Sequence, residues 1–163
     1  MKRIINTNVV MAVLTVMAVI ASSSAHAVET MSPARAADYA AIKSLIVKYA
    51  HVYDSRDIEG YVSIFTDDAE FTFNGGGMTG HDEIRAFITS VASSPVPEVK
   101  SYHSISNTLI EFVSDTEARH RSYWQIVSCA PGEPCTVGSM GVYEDTVVKQ
   151  NGEWLIRKRD IPQ

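Results

Sequence analysis

Two side chains far apart in this 163-residue chain, Asp54 and His103, are of types that together do acid–base chemistry. A carboxylate can orient an imidazole, and an oriented imidazole can take a proton from carbon. Asp54 follows Tyr53 where an apolar helical face ends, so it lies either at the edge of the interior or in solvent. Asp57, Asp67 and Asp68 read as solvent-facing. His103 opens a run of strand-type residues, and alternation puts His103, Ile105, Asn107 and Leu109 on one face. That face reads as inward, and a buried His and Asn must find hydrogen-bond partners. Two readings stay open for His103: a satisfied core histidine, or a base held by a carboxylate. Further on, Ala118, His120, Ser122, Trp124 and Ile126 share a face opposite Arg119, Arg121, Tyr123 and Gln125. His120 stands near the start of that strand and reads as rim. Gly141 and Tyr143 fall together on a later strand, the glycine leaving room and the tyrosine offering a hydroxyl.

The elements that position these residues follow from period and punctuation. Ser32 and Pro33 suit the start of a helix. Ile42, Leu45, Ile46, Tyr49 and Tyr53 then recur at spacings of three and four, one buried helical face. A second short helix carries Ile58, Val62 and Phe65, with Asp57 as its cap. Residues 66–68 read as a turn, 70–73 as a short strand, and the glycines at 75–77 and 80 as a loop. Asp82 to Val91 reads as a third helix, with acids in its first turn where the dipole favours them. After the Ser/Pro stretch at 93–97, strands are expected over 101–113, 117–128, 139–149 and 153–161. Asn151-Gly152 marks a tight hairpin. Helices followed by a strand meander predict an α+β fold, helices on one face of a curved antiparallel sheet.

The N-terminus reads as a secretory signal peptide over 1–27. Lys2 and Arg3 precede the apolar run 9–21, and Ala25-His26-Ala27 offers a cleavage site. The run is shorter than the roughly 20 residues a bilayer core needs. The expected organisation is therefore a removed signal and one domain over 28–163, periplasmic or secreted, with no membrane contact after cleavage. With 14 basic against 19 acidic residues the chain carries a formal charge of −5. Loss of Lys2 and Arg3 makes it more negative, which argues against a nucleic-acid partner. Cys129 and Cys135 bracket a Pro/Gly-rich loop without histidine, so a disulfide is expected rather than a metal site.

Taken together these residues resemble the SnoaL-like group of the nuclear transport factor 2-like superfamily. The carrying segments are Tyr53-Asp54-Ser55-Arg56-Asp57 and Phe65-Thr66-Asp67-Asp68-Ala69-Glu70-Phe71. They continue with His103, Asn107 and Glu111-Phe112, Gly141-Val142-Tyr143, and Asn151-Gly152-Glu153-Trp154. The resemblance implies a cone, a curved antiparallel sheet wrapped around N-terminal helices, with a deep and mostly apolar pocket. Two enzyme branches look nearest, scytalone dehydratase and the hexachlorocyclohexane dehydrochlorinases. In both, the His abstracts a proton and the Asp orients it, roles that fall on His103 and Asp54. The dehydratase has a second Tyr where this chain has Phe73 and a second His where Ser128 aligns. Its Ser and Asn on a later strand fall near Gly141 and Tyr143.

The resemblance thus implies a lyase (dehydratase-like) or isomerase that needs no metal or organic cofactor, and the signal pattern makes it an exported one. Its substrate would be a small hydrophobic or aromatic molecule, with Asp54 and His103 catalytic. Tyr53, Phe73, Asn107, Trp124 and Tyr143 would bind substrate. The rival reading is a non-catalytic small-molecule-binding or dimerisation domain. Relatives of this kind associate through the sheet, so a homo-oligomer is expected.

Overall fold

The computed structural model describes residues 31–93 and 98–162. The expected signal peptide and its cleavage site lie outside the described residues, as does most of the 93–97 stretch. Helix α1 (Pro33–Asp54) begins where Ser32 accepts the Arg35 backbone N–H at 3.2 Å, and it buries Ile42, Leu45, Ile46 and Tyr49. Asp57 caps α2 (Ile58–Val62), its carboxylate accepting the Gly60 N–H at 2.9 Å. Strands β1 (Phe65–Phe73) and β2 (Gly76–Thr79) lead into α3 (Gly80–Ala92). There the Thr79 N–H, at the helix start, donates to Glu83 Oε2 at 2.8 Å, satisfying a group the helix start would leave open. Strands β3 (Lys100–Phe112), β4 (Glu117–Cys129), β5 (Thr136–Gln150) and β6 (Glu153–Ile161) complete the α+β fold.

The six strands form one curved, unclosed sheet in the order β2-β1-β6-β5-β4-β3. Neighbours are antiparallel except β1 and β6, which run parallel. Three local expectations change. Residues 66–68 belong to β1: Thr66 and Ala69 are buried while Asp67 and Asp68 are both exposed. Two solvent-facing residues in succession are what a register irregularity produces, and β1 slips against β6 between Phe65 and Glu70. The glycine segment is a strand because Asn74 (φ 51°) and Gly75 (φ 75°) make the preceding turn, and positive φ at both positions is what a two-residue hairpin requires. Strand β5 starts three residues early, at Thr136 paired with Ser128. The Cys129–Cys135 disulfide closes the hairpin at that point.

A single rung crosses most of the sheet's inner face: Ile110, His120, Asp145, Arg159 and Phe71 are successive cross-strand partners. Arg159 is completely buried and grips Asp145 bidentately, Nε to Oδ1 at 2.8 Å and Nη2 to Oδ2 at 2.6 Å. His120 Nδ1 meets Asp145 Oδ2 at 2.7 Å, so His120 lies in the core and not on the rim. Burial works against the Asp145 carboxylate, but Arg159 and His120 hold its carboxyl below the usual range. The other end of α1 is pinned by Asp38, whose Oδ1 accepts from Lys149 Nζ at 2.6 Å and Trp154 Nε1 at 2.9 Å. Those two donors lower the Asp38 carboxyl.

Closing so short a loop constrains the unfolded chain, so replacing both cysteines by serine is expected to cost about 2 kcal/mol. Urea denaturation of the oxidised protein against the double variant measures it. An unchanged midpoint would show that the hairpin holds itself.

Candidate active site

Asp54 is the last residue of α1 and His103 the fourth of β3. Because β3 is an edge of the sheet, one side of its backbone has no strand partner. Asp54 fills part of that gap: its Oδ2 accepts the His103 backbone N–H at 2.9 Å, and its Oδ1 lies 2.6 Å from His103 Nδ1. Two bonds to one residue fix both the ring's position and its rotation. A carboxylate can only accept, so Nδ1 carries a hydrogen, and in the neutral ring Nε2 then has the lone pair. The His103 side chain is 4% exposed and that of Asp54 19%.

His103 borders a cavity of about 390 Å³ between the sheet and the helices. Tyr53 stands against its ring, centroids 4.5 Å apart and planes at 69°. Phe71, Phe73 and Phe87 form one wall of the cavity, and Trp124 and Tyr143 another. Trp124 lies stacked on Tyr143 at 5.6 Å and 18°. It can lie there because residue 141 is glycine, where a Cβ would come within 2.8 Å of the indole. A more polar cleft of about 510 Å³ shares Tyr53 and His103 and reaches Asp54, Arg56 and Lys100.

Of the residues expected to meet substrate, Tyr53, Phe73, Trp124 and Tyr143 line the apolar cavity with His103. Asn107 does not. It takes a left-handed conformation (φ 52°) at an irregularity between Ser106 and Leu109, and it is exposed. The extra residue inverts the alternation: Leu109, expected inward, is 55% exposed, while Ile110 and Phe112 turn in. Tyr49 is a lining residue that pattern reading assigned only to the core. The signal was present, since Tyr49 precedes Tyr53 by one helical turn and shares its face. Arg159 stacks over the Tyr49 ring at 3.9 Å and the Tyr143 ring at 4.2 Å. No local pattern flags an arginine among alternating charges on the last strand as core.

Burial, with Tyr49 and Asp54 nearby, pushes the Tyr53 phenol up to about 12. Burial raises Tyr61 and Tyr143 well above the ordinary phenol range as well. All three stay protonated hydrogen-bond donors across the pH range in which a histidine base works.

Comparison with known proteins agrees with this fold. The SnoaL-like domain profile matches residues 34–160. No curated protein matches the chain. Among solved structures it is similar to a candidate scytalone dehydratase from Novosphingobium aromaticivorans. That likeness has 28% identity and a TM-score of 0.68, over 78% of this chain and 85% of that one. A Mycobacterium tuberculosis protein of unknown function is similar at 25% identity and TM-score 0.71, over 82% and 76%. A Catenulispora acidiphila protein in complex with S-DNPA, at 22% identity and TM-score 0.68 over 77% and 92%, shares the fold.

The raised phenols make stability pH-dependent with a defined sign. Each favours folding below the unfolded tyrosine value near 10, and the contribution is lost as pH rises through the folded value. Stability is therefore expected to fall from about pH 10 upward, by roughly 1.4 kcal/mol per pH unit for each phenol still protonated in the fold. Urea midpoints at pH 8, 10 and 11 test this, and Tyr53→Phe should flatten the slope. A midpoint constant to pH 11 would contradict the burial of these hydroxyls.

Proposed function

This chain belongs to the SnoaL-like domain family, and from that premise we propose that it is a cofactor-independent lyase or isomerase acting on a small, largely aromatic molecule. The observation that carries the reading is the Asp54–His103 pair. An imidazole whose Nδ1 is fixed by a carboxylate presents Nε2 as a base beside an apolar cavity. In the proposed reaction the substrate's acidic C–H bond breaks and its proton passes to Nε2. In an elimination the electron pair becomes a double bond, and a neighbouring hydroxyl leaves as water, taking the proton that Nε2 holds and returning the base to its starting state. In an isomerisation the proton returns at another carbon. Asp54 keeps the tautomer and direction of His103 constant through either course. Aromatic walls exclude water and suit a flat substrate. The likeness to a candidate scytalone dehydratase supports the elimination form.

A carrier without chemistry would use the same aromatic walls, and could tie α1 to the sheet edge through the His103 backbone N–H alone, without the second bond to the ring. We place the protein outside the cytoplasm, a reading the disulfide supports.

The test is proton exchange. Incubated in D₂O with a panel of aromatic ketones bearing acidic C–H bonds, the protein should introduce deuterium or eliminate water, read by mass spectrometry. His103→Ala should lower that rate 10²- to 10⁴-fold. Exchange that survives the substitution would remove His103 from the mechanism.

A further inference from the structure

His103 borders two spaces, and the second has a different chemistry. The polar cleft of about 510 Å³ meets the apolar cavity along Tyr53, Val91, His103 and Ile126, which line both. A molecule placed against the imidazole can thus extend two ways. The charged residues of the cleft wall are two cations, Arg56 and Lys100, and one acid, Asp54. Both Asp54 oxygens are already taken by His103. The neighbouring acids are occupied elsewhere or lie outside. Asp57 accepts the Gly60 N–H at the start of α2, and Glu98 is exposed and is not part of the wall. Residues 94–97, Ser-Pro-Val-Pro, add no charge. In a chain of formal charge −5, this recess carries one positive charge in excess.

The end of α1 determines how Arg56 comes to be there. The Asp57 N–H donates to the Val52 carbonyl at 2.9 Å and the Arg56 N–H to the Tyr53 carbonyl at 3.0 Å. Those two bonds close a helix on a left-handed residue, a position where glycine is usual. Here it is Arg56, at φ 58°. Its side chain reaches across to α3, where Nη1 donates to the Ala92 carbonyl at 2.8 Å. That is one bond from a group with five donors. Arg35, Arg85, Arg121, Arg157 and Arg159 each have a carboxylate within 3.2 Å. Arg56 has none among the described residues, and neither has Lys100, which opens β3 three residues before His103.

We infer that Arg56 and Lys100 form the binding site for a carboxylate of the substrate, which is therefore an aromatic acid. Its ring occupies the apolar cavity and its carboxylate the polar cleft, with the carbon that loses a proton between them at His103 Nε2. The inference rests on the proposed role of His103 as the base. A carboxylate matches the planar guanidinium fork, and the Lys100 ammonium adds donors without a fixed direction. One negative charge balances the excess in the cleft. Both cations determine specificity: they hold the end of the molecule away from the reacting carbon.

Two probes of nearly one shape isolate the charge, 2-naphthylacetate and its neutral amide, 2-naphthylacetamide. Calorimetric titration gives their dissociation constants for the unsubstituted protein and for each variant, and a thermal melt confirms that each variant folds. The acid should bind about tenfold more tightly than the amide, the low end for a charged hydrogen bond because the recess is open to solvent. Arg56→Gln/Lys100→Gln should remove that preference and leave amide binding unchanged. Lys100→Gln alone, at an exposed strand end, should lower it about threefold, and Arg56→Lys should keep most of it. Arg119→Gln removes a guanidinium from an exposed position on β4 and should leave the preference intact. Binding needs no turnover, so failure of the base assignment in the exchange experiment stays distinct from failure here. Equal affinity for acid and amide, a preference that survives the double substitution, one lost equally with Arg119→Gln, or no binding of the acid at all overturns the inference.

Discussion

The interior of this protein is organised around a buried charge. Arg159 is wholly withdrawn from water on the central rung of the sheet, and an ion there is tolerated only with a close counter-charge and well-made hydrogen bonds. Asp145 provides both from the neighbouring strand, and His120 uses one of the same oxygens. A shift of β5 against β6 by one residue would turn Asp145 to the outer face and leave the guanidinium alone. The pair therefore fixes register as much as it contributes stability. It also fixes what packs on the guanidinium: two aromatic faces, Tyr49 from α1 and Tyr143 from β5. Cation and ring attract at these distances, so the charge that sets the sheet's register also sets the floor of the cavity.

The dyad is placed by a different constraint, the edge of the sheet. An edge strand leaves backbone donors without partners, and an unprotected edge invites pairing with other chains. Asp54 at the end of α1 accepts the backbone N–H of His103 and its ring nitrogen together. One carboxylate thus ties the helix to the sheet and orients the imidazole. The orientation of the imidazole and the closure of an edge are met by the same two bonds, which is why a helix-terminal acid sits partly buried rather than in solvent.

This division explains what the sequence could disclose. The α1 face, the Asp57 cap and the Asn151-Gly152 turn are local, and periodicity or turn chemistry is enough to find them. Asp54 and His103 were legible as candidates because their types and flanking residues are informative, yet their meeting depends on two elements coming together. Asn107 was misplaced because alternation holds only while the register does, and a single left-handed residue inverts every side chain beyond it. Asn74-Gly75 carried a hairpin signal as strong as Asn151-Gly152, but three further glycines nearby hid it behind the appearance of a loop. Arg159 and His120 were the least legible. A charged residue in a strand reads as solvated, and only the cross-strand register reveals the carboxylate between them.

The shape of the cavity follows from an absence as much as from the residues present. Gly141 stands opposite Trp124 in the β4–β5 ladder, and any side chain there would meet the indole at less than contact distance. The missing Cβ lets Trp124 lie flat along Tyr143, turning a bulky residue into a wall rather than a plug. A larger residue at 141 would force the indole out of its present position against Tyr143. Tyr53, His103 and Tyr143 line the same cavity as the indole, so the way the ring lies sets the space left beside them. The shape of that space depends on how Trp124 lies, and so on a glycine that is not itself part of the cavity wall.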